Sequence, residues 1–177
     1  MKAHTLLVID DDESIRKALN RTLRAEGYVI HLASSGAEGL EKLKTIAFDC
    51  VISDHLMPVM TGLEVLKLVR DRRPDVGRIM LTGHADVQVA LQSINEGEIH
   101  RFLTKPWDDT ELKVTLYSVL GEVELGRRNR TLLAIARRQA DFIRLLRRDH
   151  PEIFEELSEA DRAVAQAGDE LLAADEH

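Results

Sequence analysis

The stretch that decides the fold is VISDHLMPVMTG, residues 51–62. Its first part is apolar and ends at Asp54, and Pro58 and Gly62 follow. Apolar runs of this length are typical of strands buried on both faces, and proline and glycine are typical of tight turns. The stretch therefore predicts a buried strand that delivers the carboxylate of Asp54 to a loop at its carboxyl end.

The same pattern, a short apolar run and then a segment of helical periodicity, recurs along the chain. Strands that alternate with helices of this length favour parallel pairing through right-handed crossovers. The sequence therefore predicts an α/β fold in which helices cover both faces of one parallel sheet. The five pairs are TLLVID with DESIRKALNRTLRAEG, YVIHLA with SGAEGLEKLKTI, CVISD with GLEVLKLVRDR, RIMLTG with DVQVALQSINEG, and HRFLT with DDTELKVTLYSVLGEVEL.

Polar side chains follow four of these strands at their carboxyl ends, where open parallel sheets bind ligands. Singly, an aspartate or threonine there is typical of a helix cap, and a lone lysine is typical of a solvated surface. Their joint placement favours a site instead, and Asp12 keeps the capping interpretation. The residues are Asp10 to Asp12 after the first strand, Asp54 after the third, Thr82 and Gly83 after the fourth, and Lys105 with Pro106 after the fifth.

Carboxylates held close together repel one another unless a cation relieves the field. A hard divalent metal with oxygen ligands fits such a cluster, so the sequence predicts Mg²⁺. A phosphoryl group often completes the shell of such an ion, and Lys105 supplies a further positive charge for its oxygens. We therefore expect a site for phosphoryl transfer in which Asp54 is the nucleophile.

Residues 4–121 resemble the receiver domain of two-component response regulators. The resemblance rests on LLVIDDD, VISDHLMPVMTG, IMLTGHAD and FLTKPW, which stand in the order and spacing of that family. It implies a flavodoxin-like, doubly wound sheet of five strands in the order 2-1-3-4-5. It also implies a signalling protein whose only chemistry is its own phosphorylation and dephosphorylation, with a sensor histidine kinase as the phosphodonor.

The resemblance also assigns roles to individual residues. Asp10 and Asp11 would position Mg²⁺, Asp54 would take the phosphoryl group, and the backbone carbonyl of Leu56 would complete the metal shell. Thr82 would bond the phosphoryl group and Lys105 would pair with it. Phe102 would be the switch aromatic, altering the face made by the fourth helix, fifth strand and fifth helix, and the Lys105-Pro106 peptide would be cis.

Residues 122–177 lie beyond the resemblance and form a predicted helical extension. Mostly apolar residues recur at alternating spacings of four and three, as in the seam of a coiled coil, with a polar residue at two positions. His150-Pro151 interrupts the pattern. We expect either a helical hairpin or a coiled coil that makes a homodimer. The seam residues are Leu125, Asn129, Leu132, Ala136, Gln139, Ile143 and Leu146, continued by Ile153, Leu157, Ala160, Val164, Ala167 and Leu171.

Charge and composition limit the alternatives. The net charge of -7 argues against nucleic-acid binding by the whole chain, although eight arginines lie between Arg127 and Arg148, so a DNA-binding regulator stays open as an alternative. A haloacid-dehalogenase phosphatase with Asp10 as nucleophile is a weaker alternative, since it gives Asp54 no role. No apolar run approaches a membrane span and Cys50 is the only cysteine, so we expect a cytoplasmic protein with a buried, inert thiol.

Overall fold

A computed structural model describes residues 3–151 and Gln166. The chain divides into two compact units, residues 1–124 and residues 125–177. The strands are β1 (Thr5–Ile9), β2 (Val29–Ala33), β3 (Cys50–Asp54), β4 (Gly77–Thr82) and β5 (Arg101–Thr104). The helices are α1 (Glu13–Ala25), α2 (Gly36–Thr45), α3 (Gly62–Arg72), α4 (Val87–Asn95) and α5 (Asp109–Asp149), with a 3-10 turn at His84–Asp86 before α4.

The five strands form one parallel sheet in the order β2-β1-β3-β4-β5. The predicted fold class and strand order are confirmed. The winding direction reverses between β1 and β3, because β1 pairs with both β2 and β3. Ligands of such sheets bind at this reversal, beyond the carboxyl ends of the strands.

Alternate residues of β1 point to opposite faces of the sheet, which explains why the whole strand is apolar. Leu6 and Val8 belong to one core cluster, which also holds residues of α1 and α5. Leu7 and Ile9 belong to a second cluster, which holds residues of α2, α3 and α4. Both faces of the sheet are therefore covered, and the strand ends are the part of it left for a site.

The helix cap predicted at Asp12 is present, because its side chain accepts a hydrogen bond from the Ser14 N–H at the start of α1. The Ser35 side chain accepts one from the Glu38 N–H at the start of α2. Cys50 is fully buried, and burial raises the pKa of its thiol, in agreement with an inert role.

Helix α5 ends at Asp149, directly before His150 and Pro151. This end agrees with the prediction, because a proline disfavours helical angles in the residue before it. The second arm of the predicted hairpin, from residue 152 onward, lies outside the described residues apart from Gln166. Of the predicted seam in residues 125–146, Leu125 and Leu132 are exposed, and Ala136, Ile143 and Leu146 are half-buried. Across the described residues, no helix combines the length and apolarity that a membrane crossing requires.

Candidate phosphoryl-transfer site

Three strands bring an ion-paired cluster to the carboxyl edge of the sheet. Asp10 follows β1, Asp54 is the last residue of β3, and Lys105 follows β5. The Nζ atom of Lys105 lies 2.8 Å from Oδ2 of Asp10 and 2.5 Å from Oδ1 of Asp54. Residues that are 44 and 95 positions from Asp10 in the sequence are thus in one site, because parallel strands place their carboxyl ends together.

The carboxylate of Asp10 is removed from solvent, with none of the residue exposed. Its Oδ1 accepts a hydrogen bond of 2.9 Å from the Asp12 N–H, and its Oδ2 accepts one of 2.8 Å from Lys105. Burial raises the pKa of Asp10, and the bonds from Lys105 and Asp12 offset this only in part. The ionised form of this side chain is therefore less stable here than in water.

For Lys105, the interactions with its neighbours have a larger effect on the pKa than burial does, whereas for Asp10 burial has the larger effect. Burial lowers the pKa of its ammonium group, but the hydrogen bonds and negative charges of Asp10 and Asp54 together outweigh burial, and the pKa is raised. The lysine therefore stays charged at neutral pH and places a fixed cation beside both carboxylates. The Lys105-Pro106 peptide is cis, as the family resemblance implies.

The acidic side chains fit a metal ion. Within the described residues, Asp10, Asp11 and Asp54 each offer an oxygen, and these oxygens lie within 4.8 Å of one another. Asp11 is exposed, whereas Asp10 and Asp54 are buried, so the cluster opens to solvent on one side. An all-oxygen donor set of this kind suits a hard cation such as Mg²⁺.

The loop after β3 holds Asp54 by its backbone. A Cβ built on Gly62 would overlap the Asp54 carbonyl oxygen, so only glycine fits at the start of α3. Ser53 Oγ donates to the same carbonyl at 3.1 Å, and the His55 N–H donates to the Leu81 carbonyl at 2.8 Å. A capping box at the start of α3 fixes the first turn of that helix.

Thr82 and Phe102 lie on the two strands at the end of the sheet. Thr82 is fully buried at the end of β4, and its hydroxyl donates to the Gly83 carbonyl at 3.3 Å. Phe102 pairs with Met80 in the sheet register and is half-buried against the second core cluster. The Leu56 side chain is 61% exposed in the β3–α3 loop.

Two neighbours of the site have no counterpart in the sequence-based prediction. Arg16 of α1 reaches back to donate a hydrogen bond of 2.6 Å to the Asp10 carbonyl oxygen. His55 is buried directly after Asp54, and its Nδ1 has no hydrogen-bond partner among the described residues. A bond from a side chain to a main-chain carbonyl leaves no pattern in the sequence, whereas a histidine directly after the apolar strand is a visible signal.

Comparison with known proteins agrees with this geometry. Residues 6–117 match the response regulator receiver domain, and the chain belongs to this family. Among solved structures, it is similar to the signal receiver domain of an HD domain-containing protein from Pseudomonas fluorescens Pf-5, with 35% identity and a TM-score of 0.65 over 70% of this chain and 98% of that chain. A CheY-like receiver domain protein from Methanospirillum hungatei JF-1 has 30% identity and a TM-score of 0.66 over 71% of this chain and 99% of that chain.

Two curated relatives are longer proteins. The chain is 33% identical over 123 residues to the transcriptional regulatory protein FixJ of Bradyrhizobium diazoefficiens, which covers 70% of this chain and 59% of FixJ. It is 29% identical over 174 residues to the C4-dicarboxylate transport transcriptional regulatory protein DctD of Rhizobium meliloti. That match covers 98% of this chain and 37% of DctD. The chain thus spans only part of either relative. The receiver match favours a signalling protein over the phosphatase alternative and gives no support to the DNA-binding alternative.

Proposed function

We propose that Asp54 accepts a phosphoryl group from the phosphohistidine of a sensor histidine kinase in a Mg²⁺-dependent reaction. The proposal assigns metal binding to Asp10, Asp11, Asp54 and the backbone carbonyl of Leu56. Lys105 and Thr82 would contact the phosphoryl oxygens. Phosphorylation would then change protein contacts made by the face of α4, β5 and α5.

The observation that carries the proposal is the ion-paired cluster itself. A half-buried lysine contacts both Asp10 and Asp54 while their oxygens remain within reach of one cation. Asp11 adds a third carboxylate oxygen on the solvent side of the cluster, within 4.8 Å of the oxygens of Asp10 and Asp54.

The chemistry follows from the positions of these groups. An oxygen of Asp54 attacks the phosphorus atom, an O–P bond forms, and the N–P bond to the donor imidazole breaks with its electron pair returning to that nitrogen. Lys105 neutralises negative charge on the transferring group, and Asp10 holds Lys105 in place. Bound Mg²⁺ would supply further charge neutralisation on the phosphoryl oxygens.

A switch would begin at Thr82. Its hydroxyl donates a hydrogen bond of 3.3 Å to the Gly83 carbonyl. A phosphoryl oxygen on Asp54 would compete for that hydroxyl, and movement of Thr82 would leave space beside β4 that Phe102 of β5 could fill. Because Phe102 is only half-buried, inward packing would bury more of its ring, and this gain would couple the site to the α4-β5-α5 face.

The test is labelling with acetyl phosphate in Mg²⁺ and in EDTA, followed by intact mass and by location of the modified residue. We expect one phosphoryl group on Asp54, none on Asp54→Asn, and none in EDTA. Asp12→Asn is the matched control, because it makes the same aspartate-to-asparagine change at an exposed helix cap. This variant should be labelled like the wild type. A phosphoryl group on Asp10, or equal labelling of Asp54→Asn, would refute the assignment.

We also propose that α5 contributes to a homodimer. Beyond residue 124 it exposes apolar side chains of a kind that usually meet a partner, namely Leu125, Leu132, Leu133, Ile135, Phe142 and Leu145. Light scattering of the full chain, with and without Mg²⁺ and beryllofluoride, tests whether this assembly exists and responds to a phosphate mimic. A mass that corresponds to one chain in both conditions would rule it out.

A further inference from the structure

The link between β1 and α1 consists of three consecutive acids. Asp10, Asp11 and Asp12 join Ile9, the last residue of β1, to Glu13, the first residue of α1. Asp10 and Asp11 both belong to the group whose oxygens could hold a metal ion. Because like charges this close repel one another, a loop of this composition keeps one geometry only if other contacts fix its backbone.

Two of the contacts that hold this loop use the carboxylate of Asp10. Its Oδ1 accepts from the Asp12 N–H, and its Oδ2 accepts from Lys105. A metal ion would draw on these same oxygens, so neither bond holds the loop independently of the metal. Within residues 3–151 and 166, the Asp11 side chain makes no hydrogen bond and no ion pair. The position of the Asp11 carboxylate therefore depends on the backbone of the loop.

The Arg16 side chain restrains that backbone. Its Nη1 atom donates a hydrogen bond of 2.6 Å to the carbonyl oxygen of Asp10. This carbonyl belongs to the planar peptide group that joins Asp10 to Asp11, so the bond restricts the direction in which the chain leaves Asp10. The contact uses a main-chain oxygen and none of the carboxylate oxygens, so it can persist when a metal ion is bound.

The helix itself does not favour an arginine at this point. Arg16 is the fourth residue of α1, and the N-terminal turn of a helix favours acids over cations. The side chain is half-buried, and across the part of the chain that the structure describes it makes no ion pair. The observed role of this guanidinium group is thus its bond to the Asp10 carbonyl.

We propose that Arg16 is a positioning residue for the metal site: it orients the peptide between Asp10 and Asp11 and so holds the Asp11 carboxylate in place for the ion. This inference rests on the proposed function, because it concerns the Mg²⁺ that phosphoryl transfer would use. The positive charge of Arg16 would by itself repel a divalent cation. Positioning and charge therefore have opposite effects on affinity, and the sign of the change in an Arg16 variant separates them.

Calorimetric titration of the full chain with Mg²⁺ measures this change without a phosphodonor. Arg16→Met removes both the hydrogen bond and the charge, and we expect about tenfold weaker Mg²⁺ binding, as is typical when a group that orients a metal ligand is lost. Arg16→Lys keeps the charge, but its ammonium group is on a shorter side chain without the planar fork of arginine. We expect Arg16→Lys to bind Mg²⁺ about tenfold more weakly as well.

Arg21→Met is the matched control. Arg21 is exposed on the same helix, and among the described residues its side chain makes no hydrogen bond and no ion pair. The control loses the same charge as Arg16→Met and should bind Mg²⁺ like the wild type. Both variants should unfold in EDTA at about the wild-type temperature, because neither change removes a buried apolar contact of the core.

Labelling by acetyl phosphate gives a second measurement. In Arg16→Met the Mg²⁺ concentration for half-maximal labelling should rise about tenfold, whereas the rate at saturating Mg²⁺ should stay near that of the wild type, because the metal site is then filled. A residue that served only folding would lower the rate at every Mg²⁺ concentration. That result, with a lower unfolding temperature in EDTA, would overturn the positioning role.

Asp11→Asn tests the route by which Arg16 acts. If Arg16 acts through Asp11, Arg16→Met should weaken Mg²⁺ binding very little further in the Asp11→Asn protein, because the two changes affect one contact. The full tenfold loss in that background would show that the effect does not pass through Asp11.

Other results would also overturn the role of Arg16. Mg²⁺ binding by Arg16→Met as tight as or tighter than that of the wild type would show that charge outweighs positioning. Wild-type affinity in Arg16→Lys would show that the hydrogen bond is not needed, and this variant decides the question if Arg16→Met does not fold. An equal loss in Arg21→Met would assign the effect to the charge of the helix as a whole. A wild type that neither binds Mg²⁺ nor is labelled refutes the proposed function instead.

Discussion

Lys105 and Asp54 form the shortest ion pair of the site, with Nζ 2.5 Å from Oδ1. The same ammonium group contacts Asp10 at 2.8 Å. One cation thus compensates two buried carboxylates, and a bound metal would add to that compensation. Stability, metal binding and phosphoryl transfer should therefore respond together to changes at these three residues.

Removing the charge of Lys105 should destabilise the protein most when no metal is present. In Lys105→Met, Asp10 and Asp54 would lack their cationic partner, and we expect a loss of about 2 kcal/mol in the free energy of unfolding in EDTA. Added Mg²⁺ should recover part of this loss, because the ion supplies positive charge to the same oxygens. Urea unfolding in EDTA and in Mg²⁺ measures both effects.

Lys113→Met is the control for that experiment. Lys113 also contacts an acid, Glu26, at 2.8 Å, but both side chains are 41% exposed. Exposed pairs contribute little to stability, so this variant should unfold like the wild type in either buffer. A loss in Lys105→Met that is the same with and without Mg²⁺ would contradict a shared role of lysine and metal.

Asp10→Asn should stabilise the metal-free protein at neutral pH. Because burial raises the pKa of Asp10 above the ordinary value of 3.8, the folded state holds its proton more tightly than the unfolded state. Ionisation of Asp10 therefore costs stability, and the cost is absent below pH 3.8 and grows as the pH rises toward and through the folded pKa. We expect the variant to gain about 1 kcal/mol at pH 7 in EDTA.

The same variant should lose function. The asparagine side chain would offer an amide in place of a charged oxygen, so Mg²⁺ should bind more weakly and acetyl phosphate should label Asp54 more slowly. Titration of Mg²⁺ against thermal unfolding measures the affinity, and the gain in stability should disappear near pH 3.8. A variant that is less stable than the wild type at pH 7 would show that the Lys105 pair outweighs burial.

The sequence predicts the acidic edge because strand order and strand ends are set by a pattern of apolar runs. Asp10, Asp54 and Lys105 each follow such a run, so parallel topology alone brings them to one edge. The contacts that fix their geometry are not visible in that pattern. Arg16 reaches a backbone carbonyl and Val59 adopts a positive φ that its residue type disfavours, and both depend on three-dimensional packing.

The backbone of the β3–α3 loop should tolerate no side chain at Gly62. In Gly62→Ala the new Cβ would lie 2.7 Å from the Asp54 carbonyl carbon and closer still to its oxygen, so β3 or α3 must shift. We expect a loss of about 3 kcal/mol in unfolding free energy and a marked fall in labelling by acetyl phosphate, because the shift moves Asp54. Thermal unfolding and labelling rates measure the two effects.

Gly121→Ala is the matched control for Gly62→Ala. A Cβ at Gly121 would have no atom within 4 Å, and the residue is exposed inside α5. The alanine should therefore stabilise the protein by roughly 0.5–1 kcal/mol through helix propensity and leave labelling unchanged. Equal stability and equal labelling of the two variants would mean that the Asp54 carbonyl does not restrict the side chain at position 62.

His100 should make the protein sensitive to mild acid at the end of the sheet opposite the site. Burial lowers its pKa to about 4, from 6.5 in an unfolded chain, and its Nδ1 accepts a hydrogen bond of 3.2 Å from the Arg78 N–H. The unfolded state therefore takes up a proton first, so the contribution of His100 is full above pH 6.5 and falls as the pH drops toward 4. By linkage, this group alone should remove about 2 kcal/mol of stability between roughly pH 7 and pH 5.

His100→Asn isolates this effect, because the asparagine side-chain oxygen can take the place of Nδ1 as acceptor for Arg78 but does not titrate. Unfolding free energies of both proteins at about pH 7, 6 and 5 give the measurement, and the difference between them should change by about 2 kcal/mol in favour of the variant as the pH falls. Parallel pH dependence of the two proteins would show that His100 protonates as readily in the folded state as in the unfolded state.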